Sequence, residues 1–485
     1  MTLTGASVRA AVLEQTERTK HLSKADIERI IEESELNITS LDSQIDILIK
    51  LRDSQRADVL ALRYIMSSIR TLPVELLAKV FDLSIEDPTH IKDVYRLAQV
   101  CSDWRQVAHS TPQLWSRPLR VDLRKRADAD GLKAWLAQSA PLSLPISIIP
   151  AHKDIAGTLE ELLSVASRWH SLRIYLTTYA MPSWFFRKLS QGMLDSLEVL
   201  ELGPIDDDAD PTPLSFTAVP RLRKLNILCG LTAPQTLVPW VQLTDLVIQI
   251  DSHEAVAILA QCTNLVRASI NTSPWCQPPA AKRDIVALGQ LQTLRFFFRD
   301  DHMRQTGHHG PPFFDYLSAP LLQALRLDFD REYWTSARLT AFQLRAPNIT
   351  QLEFASRKFS SEDLVTAIRN ASSLTHLTLT FCTKAFDDAF IRTLHYQPGM
   401  IPLLPQLHNL VVKSEVMSFT QDVLAGMIMS RWWPASSEAP PAVTSWTHVE
   451  LEFGRRCATL NSARFADMLK DIPSDVLIVS RNDRI

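Results

Sequence analysis

A six-residue pattern, Leu-x-x-Leu-x-Leu or a close variant, returns ten times between residues 197 and 451 of this 485-residue chain. No other feature restricts its fold as much. The first copies are Leu197-x-x-Leu200-x-Leu202, Leu222-x-x-Leu225-x-Ile227, Leu243-x-x-Leu246-x-Ile248 and Leu265-x-x-Ala268-x-Ile270. Leu291-x-x-Leu294-x-Phe296, Leu322-x-x-Leu325-x-Leu327 and Ile349-x-x-Leu352-x-Phe354 follow. Leu374-x-x-Leu377-x-Leu379, Leu407-x-x-Leu410-x-Val412 and Trp446-x-x-Val449-x-Leu451 close the set. Their central positions lie 25, 21, 22, 26, 31, 27, 25, 33 and 39 residues apart. The Leu-x-Leu alternation puts both apolar residues on one face of a strand, and each interval has room for that strand and a return segment. One such unit cannot bury its own leucines, so neighbouring units must stack and complete the core.

These periods resemble those of leucine-rich repeats. Leu374-x-x-Leu377-x-Leu379-x-x-Cys382 fits the cysteine-bearing variant, in which a small polarizable side chain turns the corner after the strand. The other copies lack that cysteine, so an irregular solenoid is predicted. A degenerate copy sits at Leu172–Leu176, and Pro141–Ile148 alternates as a short first strand would. Gly131–Gln138 reads as helical. A helix near Ala463–Leu469 and the strand Val476–Val479 supply a terminal cap. The non-leucine strand positions, Glu201, Asn226, Gln249, Arg295 and Thr378, are candidate target-binding residues. Trp432 and Trp433, in a long insertion before the last copy, are either further target-binding residues or a plug against the end of the stack.

The N-terminal part has a different period. Residues 23–70 read as one long helix with no Pro or Gly between Glu28 and Arg70. A heptad places Ile31, Ile38, Ile45, Arg52, Val59 and Met66 at one seam position, and Ser34, Leu41, Leu48, Gln55, Leu62 and Ile69 at the other. Nine of these twelve positions are apolar, which favours a coiled-coil seam. That seam takes either a second copy, through residues 31–69, or the chain itself. Arg52 and Gln55 interrupt it, as a hairpin bend or a register-setting defect would.

From Thr71 the pattern becomes that of a short bundle. Thr71-Leu72-Pro73-Val74-Glu75 is a helix start, with Thr as cap, Pro in the first turn and Glu at the positive end of the dipole. Leu76, Leu77, Val80 and Phe81 follow at helical spacing. After a polar loop, a second helix carries Val94, Leu97, Val100, Cys101, Trp104, Val107 and Ala108 on one face, and Pro112-Gln113-Leu114-Trp115 begins a third. A unit of about 45 residues is too small to hide all these apolar side chains, so a partner surface is predicted.

The three clusters Leu72-Pro73-x-Glu75-Leu76-Leu77…Val80-Phe81, Leu97…Val100-Cys101-x-x-Trp104…Ala108 and Pro112-x-Leu114-Trp115 resemble the F-box family. The chain as a whole resembles fungal-type F-box proteins with a helical leader and a leucine-rich-repeat C-terminus. The resemblance implies that Leu72, Pro73, Leu76, Leu77, Val80, Leu97, Val100 and Trp104 form the core or the interface to a Skp-type adaptor, and through it reach cullin. The loop Ser84–Lys92, longer and more acidic than the family's usual linker, departs from that pattern.

Composition argues against most other classes. A net charge of −3 gives no general attraction to nucleic acid or membrane. Six scattered cysteines without CxxC spacing argue for reduced thiols and a cytoplasmic or nuclear location. Residues 1–20 lack the apolar stretch of a signal peptide, and no run is long enough to span a membrane. With 12 glycines, the chain has no phosphate loop, dinucleotide fingerprint or nucleophile elbow. His302, His308 and His309 with Asp300 and Asp301, and separately Asp206, Asp207, Asp208 and Asp210, read as solvated loops rather than metal sites. The basic stretch Arg117, Arg120, Arg124, Lys125 and Arg126 reads as a solvated rim.

The chain is therefore read as α/β and non-enzymatic, without cofactor or metal. Residues 1–22 are a flexible start, 23–70 a long helix or coiled coil and 71–118 the three-helix F-box. Residues 119–157 are a transition or first cap, 158–455 the irregular leucine-rich-repeat solenoid and 456–485 its C-terminal cap. The expected function is the substrate-recognition subunit of an SCF-type ubiquitin ligase acting on an unidentified protein. The alternative is an interaction scaffold without ligase activity.

Overall fold

The computed structural model describes residues 5–86, 91–124, 129–151, 155–206, 214–227, 236–250, 252–272, 285–298, 312–329, 336–357, 359–433, 442–454 and 463–482. The chain divides into two compact units, Met1–Ser84 and Ile85–Ile485.

The first unit is helical. Residues 1–22, expected to be flexible, contain the helix α1 (Gly5–Thr19). Ion pairs one turn apart, Arg18–Glu14 at 2.8 Å and Lys20–Glu17 at 3.4 Å, support its end. α2 (Lys24–Ile65) starts where the Ser23 hydroxyl accepts the Asp26 amide at 3.3 Å and donates to the Asp26 carboxylate at 2.7 Å. It runs unbroken for 42 residues, about 63 Å at 1.5 Å per residue. There is no hairpin bend at Arg52/Gln55, since a polar seam residue removes no backbone hydrogen bond. None of its residues is buried. α3 (Val74–Ser84) follows a single 3₁₀ turn over Ser68–Thr71. Thr71 does not cap α3 as predicted: its hydroxyl donates to the Ser68 carbonyl at 2.8 Å, inside that turn.

The second unit begins with α4 (Ile91–Ala98), α5 (Ser102–His109) and α6 (Pro112–Trp115). A parallel sheet of fourteen strands follows, in chain order throughout. Its strands are β1 (Leu119–Asp122), β2 (Leu144–Ile149), β3 (Trp169–Ile174), β4 (Val199–Leu202) and β5 (Lys224–Ile227). Next come β6 (Asp245–Gln249), β7 (Arg267–Thr272), β8 (Thr293–Phe298), β9 (Ala324–Phe329) and β10 (Gln351–Ala355). The last are β11 (His376–Thr380), β12 (Asn409–Ser414), β13 (His448–Gly454) and β14 (Leu477–Asn482). The sheet thus starts at Leu119, inside the stretch read as a transition, and extends through the stretch read as a cap. The degenerate copy also shifts by one unit of the pattern. Leu172 is its central position, paired with Leu200, and Leu176 lies beyond the strand and exposed.

The repeated leucines form the core. From β4 to β13 the central residues pair in one continuous row, Leu200, Leu225, Leu246, Ala268, Leu294, Leu325, Leu352, Leu377, Leu410 and Val449. None of them is more than 3 % exposed. The return segments cover this face, with α11 (Ser336–Gln343), α12 (Ser361–Ile368), α13 (Asp388–Leu394) and α14 (Gln421–Ser430) packed side by side. (The intervening α7 to α10 are Ala129–Gln138, Ala156–Leu163, Ser183–Gln191 and Ser252–Leu259.)

Three arginines tie successive turns together. Arg168 donates to the carbonyls of Leu136 and Leu142 at 2.8–3.1 Å, Arg345 to those of Phe314 and Leu317 at 2.6 and 2.9 Å, and Arg431 to those of Leu404 and Leu407 at 2.7 and 3.0 Å. Each satisfies carbonyls left free where a preceding segment ends. Arg431 is buried, its guanidinium 4.8 Å from the Trp446 ring centre, and burial lowers its pKa to about 10.

Leu377→Ala is expected to destabilise the sheet by about 2–5 kcal/mol, as a buried cavity would. Thr378→Ala, on the opposite face of the same strand, should stay within about 1 kcal/mol. Thermal or denaturant unfolding of the two variants checks the assignment of faces.

Candidate functional site

α3 presents two faces of opposite character. Pro73, Leu76, Val80 and Leu83 recur at intervals of three and four, so they share one stripe. Leu76, Val80 and Leu83 are 54 %, 43 % and 74 % exposed. Leu77 and Phe81, on the adjoining stripe, are buried. Leu72 is half-buried and Pro73 exposed. Of the five interface candidates in the first unit, Leu77 is therefore the one that is not accessible. An apolar stripe in water is the physical mark of a surface that takes a partner.

In the second unit, the predicted second helix is two. Cys101 is extended (φ −158°, ψ 174°) and its Sγ accepts the Trp104 amide at 3.5 Å, so it ends one helix and caps α5. Arg105 Nε donates to the Ala98 carbonyl at 3.0 Å and closes the end of α4. The break rotates the apolar set. Val94, Ala98, Val107 and Ala108 are buried, while Val100 is exposed and Leu97 and Trp104 are half-buried. Trp115 is structural. Its Nε1 donates to the Ala108 carbonyl at 2.7 Å, and its ring meets Trp135 at 5.0 Å and Tyr95 at 5.4 Å. It locks α5 and α6 to α7.

A second surface lies on the sheet face opposite the leucines. Strand pairing puts Glu201, Asn226, Val247, Ser269, Arg295, Arg326, Glu353 and Thr378 in one row from β4 to β11. Four of the sequence-predicted residues thus share a single line, and Gln249 stands in the next row, beside Asn271. Charges along the face are largely matched within it. Arg173 and Glu201 meet at 3.3 Å, Arg326 and Glu353 at 2.9 Å, and Lys413 reaches Glu450 and Glu452 at 3.1 and 3.0 Å. Lys224 and Arg295 make no ion pair among the described residues. Glu201 and Asn226 also line a shallow cavity of about 310 Å³ with Arg173, Tyr175 and Leu176. The Asn226 Oδ1 in it is buried and accepts no hydrogen bond among the described residues.

Sequence reading missed the histidines of this face. His376 pairs with Asn409, which pairs with His448, and the His376 and His408 rings lie 5.2 Å apart. Burial, followed by His408 and His448, lowers the pKa of His376. Their signal was one histidine between the first and central positions of each of three consecutive copies, at 376, 408 and 448. Trp432 and Trp433 are on neither row. They are half-buried just after α14, where the Ser445 hydroxyl contacts the Trp433 backbone at 3.3–3.4 Å.

Burial pushes the Cys262 and Cys382 thiols up to about 12, which keeps both protonated at neutral pH. Cys382 turns the corner after β11, its Sγ 3.4 Å from the Phe354 and Thr380 carbonyls, with Phe381 beside it in the left-handed region (φ 57°). Among the described residues no group of three or more His, Cys, Asp or Glu could hold a metal ion. The His302/His308/His309 and Asp300/Asp301 loop lies outside the described residues, as do Asp207, Asp208 and Asp210. No described helix is long and apolar enough to cross a membrane.

Leu76→Asp should leave the thermal unfolding of the chain within about 1 °C of the parent, because the side chain already faces water. Phe81→Asp, which places a charge in a buried position, should lower it by many degrees or prevent folding. Differential scanning fluorimetry of the pair distinguishes an open stripe from a core stripe.

A comparison with protein families matches residues 69–121 to the F-box-like family. No curated protein matches the chain. The match spans α3 to α6 and reaches into β1, so it takes in both the exposed stripe and the Cys101–Trp104 cap.

Proposed function

We propose that this chain is the substrate-recognition subunit of an SCF-type cullin–RING ubiquitin ligase. The F-box-like segment binds a Skp-type adaptor, and cullin is reached through it. The sheet is a leucine-rich-repeat-like solenoid whose polar face takes a target protein. One observation carries the reading: inside the F-box-like match, apolar side chains stand exposed on α3 instead of closing a core. The residues assigned to the adaptor are Leu72, Pro73, Leu76 and Val80 in the first unit, with Leu77 buried on the adjoining stripe of α3, and Leu97, Val100 and Trp104 in the second.

Glu201, Asn226, Gln249, Arg295 and Thr378 are the residues assigned to the target. Their alternation with the leucines leaves them outside the packed core, and the ion pair with Arg173 holds the Glu201 side chain in place. The chain itself makes and breaks no bonds. It acts by holding target and conjugating machinery at high effective concentration. A cytoplasmic or nuclear site fits such a partner set.

Co-expression with a Skp-type adaptor should give a complex that survives size exclusion and brings down cullin. Leu76→Asp or Trp104→Ala should weaken adaptor binding at least about 30-fold, the size of a hot-spot loss. If the parent chain binds no adaptor, the reading fails. Adaptor without cullin would make the chain a scaffold.

A further inference from the structure

α2 leaves a long apolar seam bare, and its charges are sorted by sign along its length. Ile31, Ile38, Leu41, Ile45, Leu48 and Leu62 are each 51–62 % exposed. From Lys24 to Asp46 there are seven acidic residues and two basic ones, a net −5. From Ile47 to Ile65 there are four basic and two acidic, a net +2. A helix with one acidic end and one basic end is self-complementary when a copy lies against it head to tail.

We propose that two copies of this chain pair through α2 in antiparallel orientation. A parallel pair would set the −5 half against its twin. It would also place Arg52 opposite Arg52 and Gln55 opposite Gln55 in the middle of the seam, where like charges are costly to bury. Reversing one helix removes both conflicts. The alignment that overlaps the seam from Ile31 to Leu62 in full faces Ile31 with Leu62, Ile38 with Gln55, Leu41 with Arg52 and Ile45 with Leu48. Each polar interruption then meets an apolar side chain. Arg52 can lay its stem along Leu41 and keep its head in water, where it already pairs with Asp53 at 2.8 Å.

The flanking positions agree with this alignment. Glu28 comes within two residues of the level of Arg63, and Glu35 within two of Arg56, on the same flank of the seam, and two-fold symmetry makes each pair occur twice. Within one copy, Glu35, Arg56 and Arg63 make no ion pair among the described residues, so all three are available. The overlap runs from Glu28 to Ile65, about five heptads, above the three or four that a coiled coil needs. Arg52 and Gln55, the two polar breaks in the heptad, thereby become the residues that set orientation. The pairing uses α2 alone and does not depend on the ligase reading.

Light scattering on the full chain should give twice the monomer mass of 54.8 kDa. A ketone-reactive nitroxide on an unnatural residue at position 33, outside the seam, then reports orientation by pulsed electron resonance. The antiparallel pair predicts about 40 Å between the two labels, from the helical rise of 1.5 Å per residue. Glu28→Arg with Glu35→Arg should weaken dimerisation at least about 10-fold, and adding Arg56→Glu and Arg63→Glu should restore it. A monomer, labels within about 20 Å of each other, or no recovery in the fourfold variant would each overturn the proposal.

Discussion

A parallel strand cannot bury its leucines without a neighbour on each side, and the larger unit of this protein is built to meet that need. The row from Leu200 to Val449 is continuous across ten strands. Each strand therefore depends on the two beside it and on no distant part of the chain. Such an array tolerates uneven spacing, because insertions fall in the return segments. It demands instead that backbone carbonyls freed between turns be satisfied locally. Arg168, Arg345 and Arg431 do that, at the cost of placing a guanidinium in partly or fully buried surroundings.

The same alternation that builds the core sets aside the opposite face. Because every second residue is committed to packing, those between can carry charge and hydrogen-bonding groups. Along this face the ion pairs are internal, from Arg173–Glu201 at one end to Lys413–Glu450 at the other. Exposed pairs of this kind add little stability, about 0–1 kcal/mol. Their larger effect is to lower the net field of the surface, so a partner would be read by shape and hydrogen bonding more than by bulk charge. Among the described residues of these strands, Lys224 and Arg295 make no ion pair.

Much of this was legible because it is local and periodic. The leucine intervals located ten strands, and their alternation named Glu201, Asn226, Arg295 and Thr378 as companions on one face. What stayed hidden lacked a period. β1 (Leu-Arg-Val-Asp) and the Trp169-x-x-Leu172-x-Ile174 copy carry too few leucines for their register to show. The split at Cys101 comes from a thiol acting as a cap, a role normally taken by Ser, Thr, Asp or Asn. The arginine ties join side chains to carbonyls 24 to 32 residues away, which no spacing rule reports. On α3 the helical period placed Leu76 and Leu77 next to each other, and only burial separates the open residue from the closed one.

In the proposed function labour is divided: the F-box-like segment would dock and the polar sheet face would remain open for a target. Hydrogen exchange of the full chain with and without a purified Skp-type adaptor tests it most directly. Slower exchange is expected over Leu72–Leu83 and Leu97–Val107, with the strands from β4 to β11 unchanged. Protection of those strands with none on α3 would contradict it.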